Sequence, residues 1–409
     1  MMYRITSPTA IRPSMQLPAS KSISNRALII NALSDGACTI ENLSESDDTK
    51  EMLTAFSTSG EIIDVGAAGT AMRFLTAYLA QNTGIYTITG SERMKHRPIK
   101  ILVEALRSIG AEIKCLGEEG FPPLKITGRR LEGGSITLAG NVSSQYISAM
   151  MMIAPGMVNG LKINLTGNII SRPYINMTAG LMRLFGVEVR QDCNTLIIPH
   201  CKYTPVKFRV ENDWSAASYF YEIAALAGKD VKISLGGLTE NSLQGDARVA
   251  ALFYPLGVAT RFTDAGVELQ AIQMELPESF DCDFTDIPDL AQTFAVTLCL
   301  LGIRFSLSGL QSLRIKETDR LAALKAELGK LGYVLEIHRD STLEWNGERC
   351  LPEPEPVIAT YEDHRMAMAF APVCLKTGSI RISDPEVVSK SYPAYWKTLS
   401  AAGFTIELS

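Results

Sequence analysis

Ala105-Leu-Arg-Ser-Ile-Gly110-Ala-Glu-Ile-Lys-Cys115 (ALRSIGAEIKC) reads as the end of a helix, a glycine stop and the start of a strand. Apolar residues at helical spacing lead up to Gly110, after which Ile113 stands alone between Glu112 and Lys114, as in a strand with one buried face. A glycine just past the last turn can take the left-handed conformation that closes a helix. The pattern recurs around Gly60, Gly186 (LMRLFGVEV), Gly257 (FYPLGVATRF), Gly332 (LGKLGYVLEI) and Gly403 (LSAAGFTIEL), at intervals of 50, 76, 71, 75 and 71 residues.

A second marker keeps the same beat. Polar residues open Ala-, Met- and Phe-rich helices at Ser22, Thr70, Ser144, Ser215, Asp289 and Asp363, separated by 48, 74, 71, 74 and 74 residues. That period is longer than the roughly 20 to 50 residues of a solenoid unit, so each copy is expected to be a small α/β module, six in all with the first one shortened. Segments such as TAMRFLTAYLA, SAMMMIAPGMV and DLAQTFAVTLCLL are apolar nearly all round, which places these helices inside a core.

At 409 residues, 46% apolar and 20% charged, the chain is large enough for two or more cores. Its longest apolar stretches fall short of the roughly 18 residues of a spanning helix, and the first residues lack the features of a secretory signal. A cytoplasmic protein is expected. The net charge of −5, without a long basic block, argues against nucleic acid as a partner. Eight cysteines without a C-x-x-C pair, and only four histidines, suggest neither a zinc site nor a disulfide framework.

Against this acidic background, cations gather at helix starts. Lys21, Ser22 and Arg26 lie where free N–H groups already favour an anion. Gly66-Ala-Ala-Gly69-Thr-Ala-Met-Arg73 is a glycine-bearing turn into a buried helix. Arg93, Lys95 and Arg97 alternate, so an extended segment would turn all three to one side, although a solvated edge strand would look the same. Lys316 and Arg320 are expected at i and i+4 on one helix face, where an anion, or Glu317 and Asp319, would relieve their repulsion. Asp363-His-Arg365 opens another buried helix. Together these imply small substrates with several negative charges, phosphates or carboxylates, held in a cleft between two halves.

At these residues the chain resembles the 5-enolpyruvylshikimate-3-phosphate synthase family. The motifs are PASKSISNRAL from Pro18, AGTAMRFLTA from Ala68, RMKHRPI from Arg93, VSSQY from Val142, SRPYI from Ser171, IPD from Ile287, KETDRL from Lys316, EDHRMAMAF from Glu362 and DPEVVSKSYP from Asp384. The resemblance implies an inside-out α/β fold of two domains, 19–212 and 1–18 with 213–409, each of three βαβαββ modules around buried parallel helices. It implies transfer of enolpyruvyl from phosphoenolpyruvate to the 5-hydroxyl of shikimate 3-phosphate through a tetrahedral intermediate. Lys21, Ser22, Arg26, Ser143, Ser144, Gln145, Ser171, Tyr174, Asp289, Ser312 and Lys316 would hold shikimate 3-phosphate. Phosphoenolpyruvate would fall to Lys21, Gly69, Arg97, Gln145, Arg320, Arg365 and Lys390. Asp289 would be the base, Glu317 the acid, and Lys21 would assist proton transfer. A monomer without metal or organic cofactor is expected, with the phosphoenolpyruvate slot open to glyphosate beside Gly69.

Three positions depart from the family pattern: Ala67 stands for the usual Asn, Phe74 for Pro, and Ser312 for a frequent Asn. Two rival readings stay open on these residues. A UDP-N-acetylglucosamine enolpyruvyl transferase shares the expected fold, but its reactive Cys has no counterpart in Ser91 to Pro98. A binding protein that keeps the acceptor pocket and has lost turnover is the other.

Overall fold

The computed structural model describes residues 1–409 apart from 59, 60, 142, 229 and 230. Two compact units result, one of Ala19–Val210 and one of Met1–Pro18 with Glu211–Ser409.

One module shows how the repeat is built. Strand Gly134–Ala139 runs parallel to Leu161–Thr166, and helix Ser144–Ile153 makes the crossover between them. Helix Arg172–Leu184 follows and stops before Gly186, and the chain then forms Arg190–Asp192 and Thr195–Ile198, the latter antiparallel to Leu161–Thr166. The strands Ile62–Asp64, Gly84–Thr89, Leu124–Gly128 and Glu112–Cys115 repeat this arrangement in the same unit. In the other unit it is repeated by Ser279–Asp283, Arg304–Ser308, Thr342–Trp345 and Glu336–His338. The closing glycines Gly110, Gly186, Gly257, Gly332 and Gly403 all have φ between 84° and 110°, as a helix stop requires. The expected stop at Gly60 lies outside the described residues.

Among the described residues five sheets have four strands and one has two. The small one pairs Thr39–Glu41 in parallel with Lys207–Arg209, so the shortened first module takes a strand from the far end of its own unit. The strand Ile62–Asp64 follows the expected stop at Gly60 but does not close the first module. It opens the next one instead, because Ile63 aligns with Ile88 in a parallel pair. In the other unit, Met2–Thr6 lies between Ser379–Ser383 and Thr405–Leu408, and Ser14–Met15 pairs with Lys232–Gly236.

The inner helices are buried on all sides. Tyr146 to Ile153 are buried without a break, as are all residues of His364–Phe370 and nearly all of Trp214–Ala227. Each large apolar side chain so placed contributes on the order of 1.5–3 kcal/mol. Outer helices bury one stripe only, as Lys100–Ser108 does with Leu102, Val103, Ala105 and Leu106. Some polar atoms carried into the core find partners there: Ser24 Oγ accepts from Ser44 N at 2.9 Å and Asn25 Oδ1 from Thr49 Oγ1 at 2.8 Å. Among the described residues no helix is long and apolar enough to cross a membrane.

Candidate active site

In the unit of Glu211–Ser409, the N-terminal end of helix Arg320–Lys330 organises a charge network. Asp319 caps the helix, its Oδ1 accepting from Ala322 N at 3.2 Å, and this fixes Arg320 in the first turn. The Arg320 side chain is 1% exposed and meets three carboxylates: Nε donates to Asp363 Oδ2 at 2.6 Å, Nη1 to Asp289 Oδ1 at 3.0 Å and Nη2 to Glu317 Oε2 at 3.0 Å. Further cations balance them. Arg365 Nη2 lies 3.1 Å from Asp289 Oδ2, Lys316 Nζ 3.8 Å from Asp289 Oδ1, and Lys390 Nζ 3.1 Å from Glu317 Oε1.

These contacts set protonation. Burial by itself would raise the Asp289 carboxyl, yet Arg365, Lys316 and Arg320 hold it well below the usual carboxylate range. Glu317 is likewise held well below by Arg320, Lys390, His364 and Lys316, against burial. Asp246 goes the other way: burial and the charge of Asp289 push it up to about 7, while its hydrogen bond from Ser215 Oγ works against that rise.

The sequence-based expectation placed Lys316 and Arg320 one turn apart on a helix. The structure corrects it: Lys316 follows the 3₁₀ turn Gln311–Ile315 in a bend, before the helix begins. Ser312 lies within that 3₁₀ turn, and Lys390 ends another, Pro385–Lys390. Sequence reasoning did not assign Asp363, Asp246, Ser215 or Tyr219 to a site; the Tyr219 hydroxyl accepts from Arg365 Nη1 at 3.4 Å. Asp363 carried a signal in its motif. Asp246 and Tyr219 carried none.

In the unit of Ala19–Val210 a different set of cations gathers, and two of them, Arg26 and Arg73, donate to neutral groups. Lys21 opens helix Lys21–Leu33, and its Nζ lies 3.3 Å from Asp48 Oδ2. Arg26, one turn on, is buried: Nε donates to Thr178 Oγ1 at 2.8 Å, Nη1 to Ser22 O at 2.9 Å and Nη2 to Ser148 Oγ at 3.1 Å. Buried Arg73 donates to Gly69 O at 3.2 Å and to Pro98 O at 3.2 Å, and Tyr146 Oη also donates to Pro98 O, at 2.6 Å. That clamp keeps Arg97 against Gly69, where a Cβ would stand only 2.8 Å from Arg97 Nη1. Gln145 reaches the same turn, its Nε2 donating to Thr70 Oγ1 at 3.1 Å.

Arg93 and Lys95 correct a second expectation. They lie in the short helix Glu92–Lys95 and not in an extended segment, because Ser91 Oγ caps the turn by accepting from Met94 N. Lys95 then pairs with Glu92 at 2.6 Å, while Arg97 reaches the glycine turn. Ser143 caps helix Ser144–Ile153, its hydroxyl accepting from Gln145 N at 3.3 Å. Ser171 precedes helix Arg172–Leu184 with φ 55°, a left-handed conformation for a residue with a Cβ. Such a residue stores about 1–3 kcal/mol of strain, which concentrates at functional sites. Tyr174 stands in that helix's first turn.

Residues 5–64 and 55–399 match the family model described as EPSP synthase (3-phosphoshikimate 1-carboxyvinyltransferase). The chain belongs to that family. A 3-phosphoshikimate 1-carboxyvinyltransferase of Bacteroides fragilis is 56% identical over 410 residues, covering 100% of this chain and 99% of the relative. One from Vibrio campbellii is 38% identical over 423 residues, covering 96% and 97%. A solved EPSP synthase from Acinetobacter baumannii matches the fold with a TM-score of 0.78 across 100% of both chains, at 21% identity. The two-domain inside-out α/β architecture expected from the sequence is therefore the fold of this chain.

Proposed function

We infer that this chain is a 3-phosphoshikimate 1-carboxyvinyltransferase, moving the enolpyruvyl group of phosphoenolpyruvate to the 5-hydroxyl of shikimate 3-phosphate and releasing phosphate. The observation that carries the chemistry is the placement of Asp289 and Glu317 on opposite arms of one buried guanidinium, each with its own further cation. Addition needs a base for the attacking hydroxyl and an acid for the methylene carbon, and the roles reverse in elimination. Asp289, ionised by its cations, suits the base. Glu317 is ionised in the free protein, but an anion on Arg320 and Lys390 would offset the charges that hold it down and let it take up the proton it must deliver.

Both units are proposed to act on one substrate pair. Ser22, Arg26, Ser143, Ser144, Ser171, Tyr174, Ser312 and Lys316 would hold shikimate 3-phosphate together with Asp289, with Gln145 beside its ring. Lys21, Gly69, Arg97, Arg320, Arg365 and Lys390 would hold phosphoenolpyruvate, with Lys21 close enough to the departing phosphate to share in proton transfer. The cations would stabilise negative charge as it redistributes. All these residues come from one chain, which favours a monomer, and the eight cysteines are all unpaired, as suits a cytoplasmic protein.

The test is release of inorganic phosphate from phosphoenolpyruvate by purified protein. Release that depends on shikimate 3-phosphate, is absent with UDP-N-acetylglucosamine and is indifferent to chelators is the expected result. Release with the nucleotide sugar instead would establish the sister activity, and dependence on an added divalent ion would overturn the metal-free mechanism.

A further inference from the structure

Arg26 is 2% exposed, yet among the described residues no carboxylate lies within ion-pair distance of it. Its hydrogen-bond acceptors are two hydroxyls and a carbonyl, all neutral. The hydroxyls are themselves tied down: Thr178 Oγ1 donates to Tyr174 O at 2.8 Å and lies 2.8 Å from Ser148 Oγ. What faces the charge is aromatic. The guanidinium carbon stands 5.3 Å from the ring centre of Phe74 and 5.9 Å from that of Tyr174.

A buried cation without a counter-charge is costly, and ring faces compensate it only in part. Burial lowers the Arg26 pKa to about 10, so the group is still charged at neutral pH. Of the five N–H groups a guanidinium owns, three are committed here, which leaves one on each terminal nitrogen. Two such donors are the number a carboxylate or phosphate takes in a bidentate contact.

We propose that Phe74 is a positioning residue for the acceptor substrate: its ring is the seat that fixes the plane of the Arg26 guanidinium, so that the two remaining N–H groups are presented to an anionic group of shikimate 3-phosphate. This rests on the reading of Arg26 as a ligand of that substrate. Phe74 is fully buried in helix Gly69–Gln81, one of the unit's inner helices. Its ring supplies the guanidinium with a cation–π contact that an aliphatic side chain cannot make.

The experiment is a double-mutant cycle on Phe74→Leu and Arg26→Lys, read by calorimetric titration of shikimate 3-phosphate and by kcat and KM at saturating phosphoenolpyruvate. Phe74→Leu keeps an apolar side chain and removes the ring face. It should weaken binding of shikimate 3-phosphate by about tenfold and raise its KM to match, with kcat within about twofold of wild type. In the Arg26→Lys background, where the planar fork is already gone, the same change should cost less than threefold. Wild-type affinity in Phe74→Leu, or a loss equally large in both backgrounds, would overturn the proposal, the second by reducing Phe74 to general packing. A wild-type protein that gives no binding heat with shikimate 3-phosphate, and no acceptor-dependent turnover, would instead overturn the reading beneath it. Should Phe74→Leu fail to fold, Phe74→Met serves the same comparison.

Discussion

Arg26 and Arg320 are both buried arginines, and their surroundings are opposites. Arg320 is hydrogen-bonded to three carboxylates at 2.6 to 3.3 Å, whereas Arg26 meets hydroxyls, a carbonyl and two rings. Burial alone would lower the pKa of both. It does so for Arg26, while Asp363, Glu317 and Asp289 raise that of Arg320 above the ordinary arginine value. One unit thus carries a cation whose compensation is left for a ligand to supply. The other carries an internally balanced network that sets the charge of its carboxylates before any substrate arrives.

The balanced network can be broken at Asp363, which is fully buried and bonds both Arg320 and the Arg365 backbone N–H. Asp363→Ala leaves a buried guanidinium short of one partner and removes a helix cap. Loss of one member of a buried pair costs about 3–5 kcal/mol. A large drop in melting temperature is expected, and a drop of only a few degrees would mean that Asp289 and Glu317 suffice to balance Arg320.

Catalysis should be the next most sensitive. Asp289→Asn and Glu317→Gln keep size and most hydrogen bonding but cannot exchange the proton, so each should lower kcat by about 100-fold or more. Acceptor binding should survive in both. Steady-state phosphate release separates the two outcomes: a variant that keeps most of its turnover does not carry the role assigned to it.

The module repeat was legible because a helix stop and a helix opening each need particular residue types, and both recur with the period of the module. Strand partnership was not. Lys207–Arg209 beside Thr39–Glu41, and Met2–Thr6 between Ser379–Ser383 and Thr405–Leu408, join segments far apart in sequence, and no local pattern announces them. Among the candidate residues, motifs brought out Asp289, Glu317, Arg320, Arg365 and Lys390, which the structure gathers into one network. Local conformation was harder to read. A serine cap turned Arg93 and Lys95 into a helix, and Lys316 fell before the helix it was assigned to. Asp246 escaped notice because its unusual environment comes from packing, not from its neighbours in sequence.

Asp246 offers a subtler comparison, within one unit. Its carboxyl, facing Ser215, Asp289, Arg365 and Asp213, is raised to about 7. An acid raised on folding takes up a proton as the chain folds, between the ordinary carboxylate range and about pH 7. Its contribution therefore falls as pH climbs through that window, by at most about 1.4 kcal/mol per pH unit. Asp289 and Glu317, held low, contribute stability that is present above the ordinary carboxylate range and lost as pH falls below it. Asp246→Asn should flatten the decline between about pH 4 and 7 and leave the acid limb in place. Denaturant midpoints measured across that range check it, and an unchanged slope would show that Asp246 ionises normally.

The smallest effect on stability is expected where the cation has no counter-charge. Replacing a buried charge with an apolar side chain of similar length removes a desolvation cost, and where no partner is orphaned the net change is near zero or favourable. Arg26→Met would strand no carboxylate. The Thr178 and Ser148 hydroxyls keep each other at 2.8 Å, Thr178 still donates to Tyr174 O, and the Phe74 and Tyr174 rings receive a thioether, which packs well against aromatic faces. Stability should stay within about 1 kcal/mol of wild type or rise, while binding of shikimate 3-phosphate is largely lost. A melting temperature that falls as far as that of Asp363→Ala would mean that Arg26 is a structural cation after all, and the contrast between the two buried arginines would disappear.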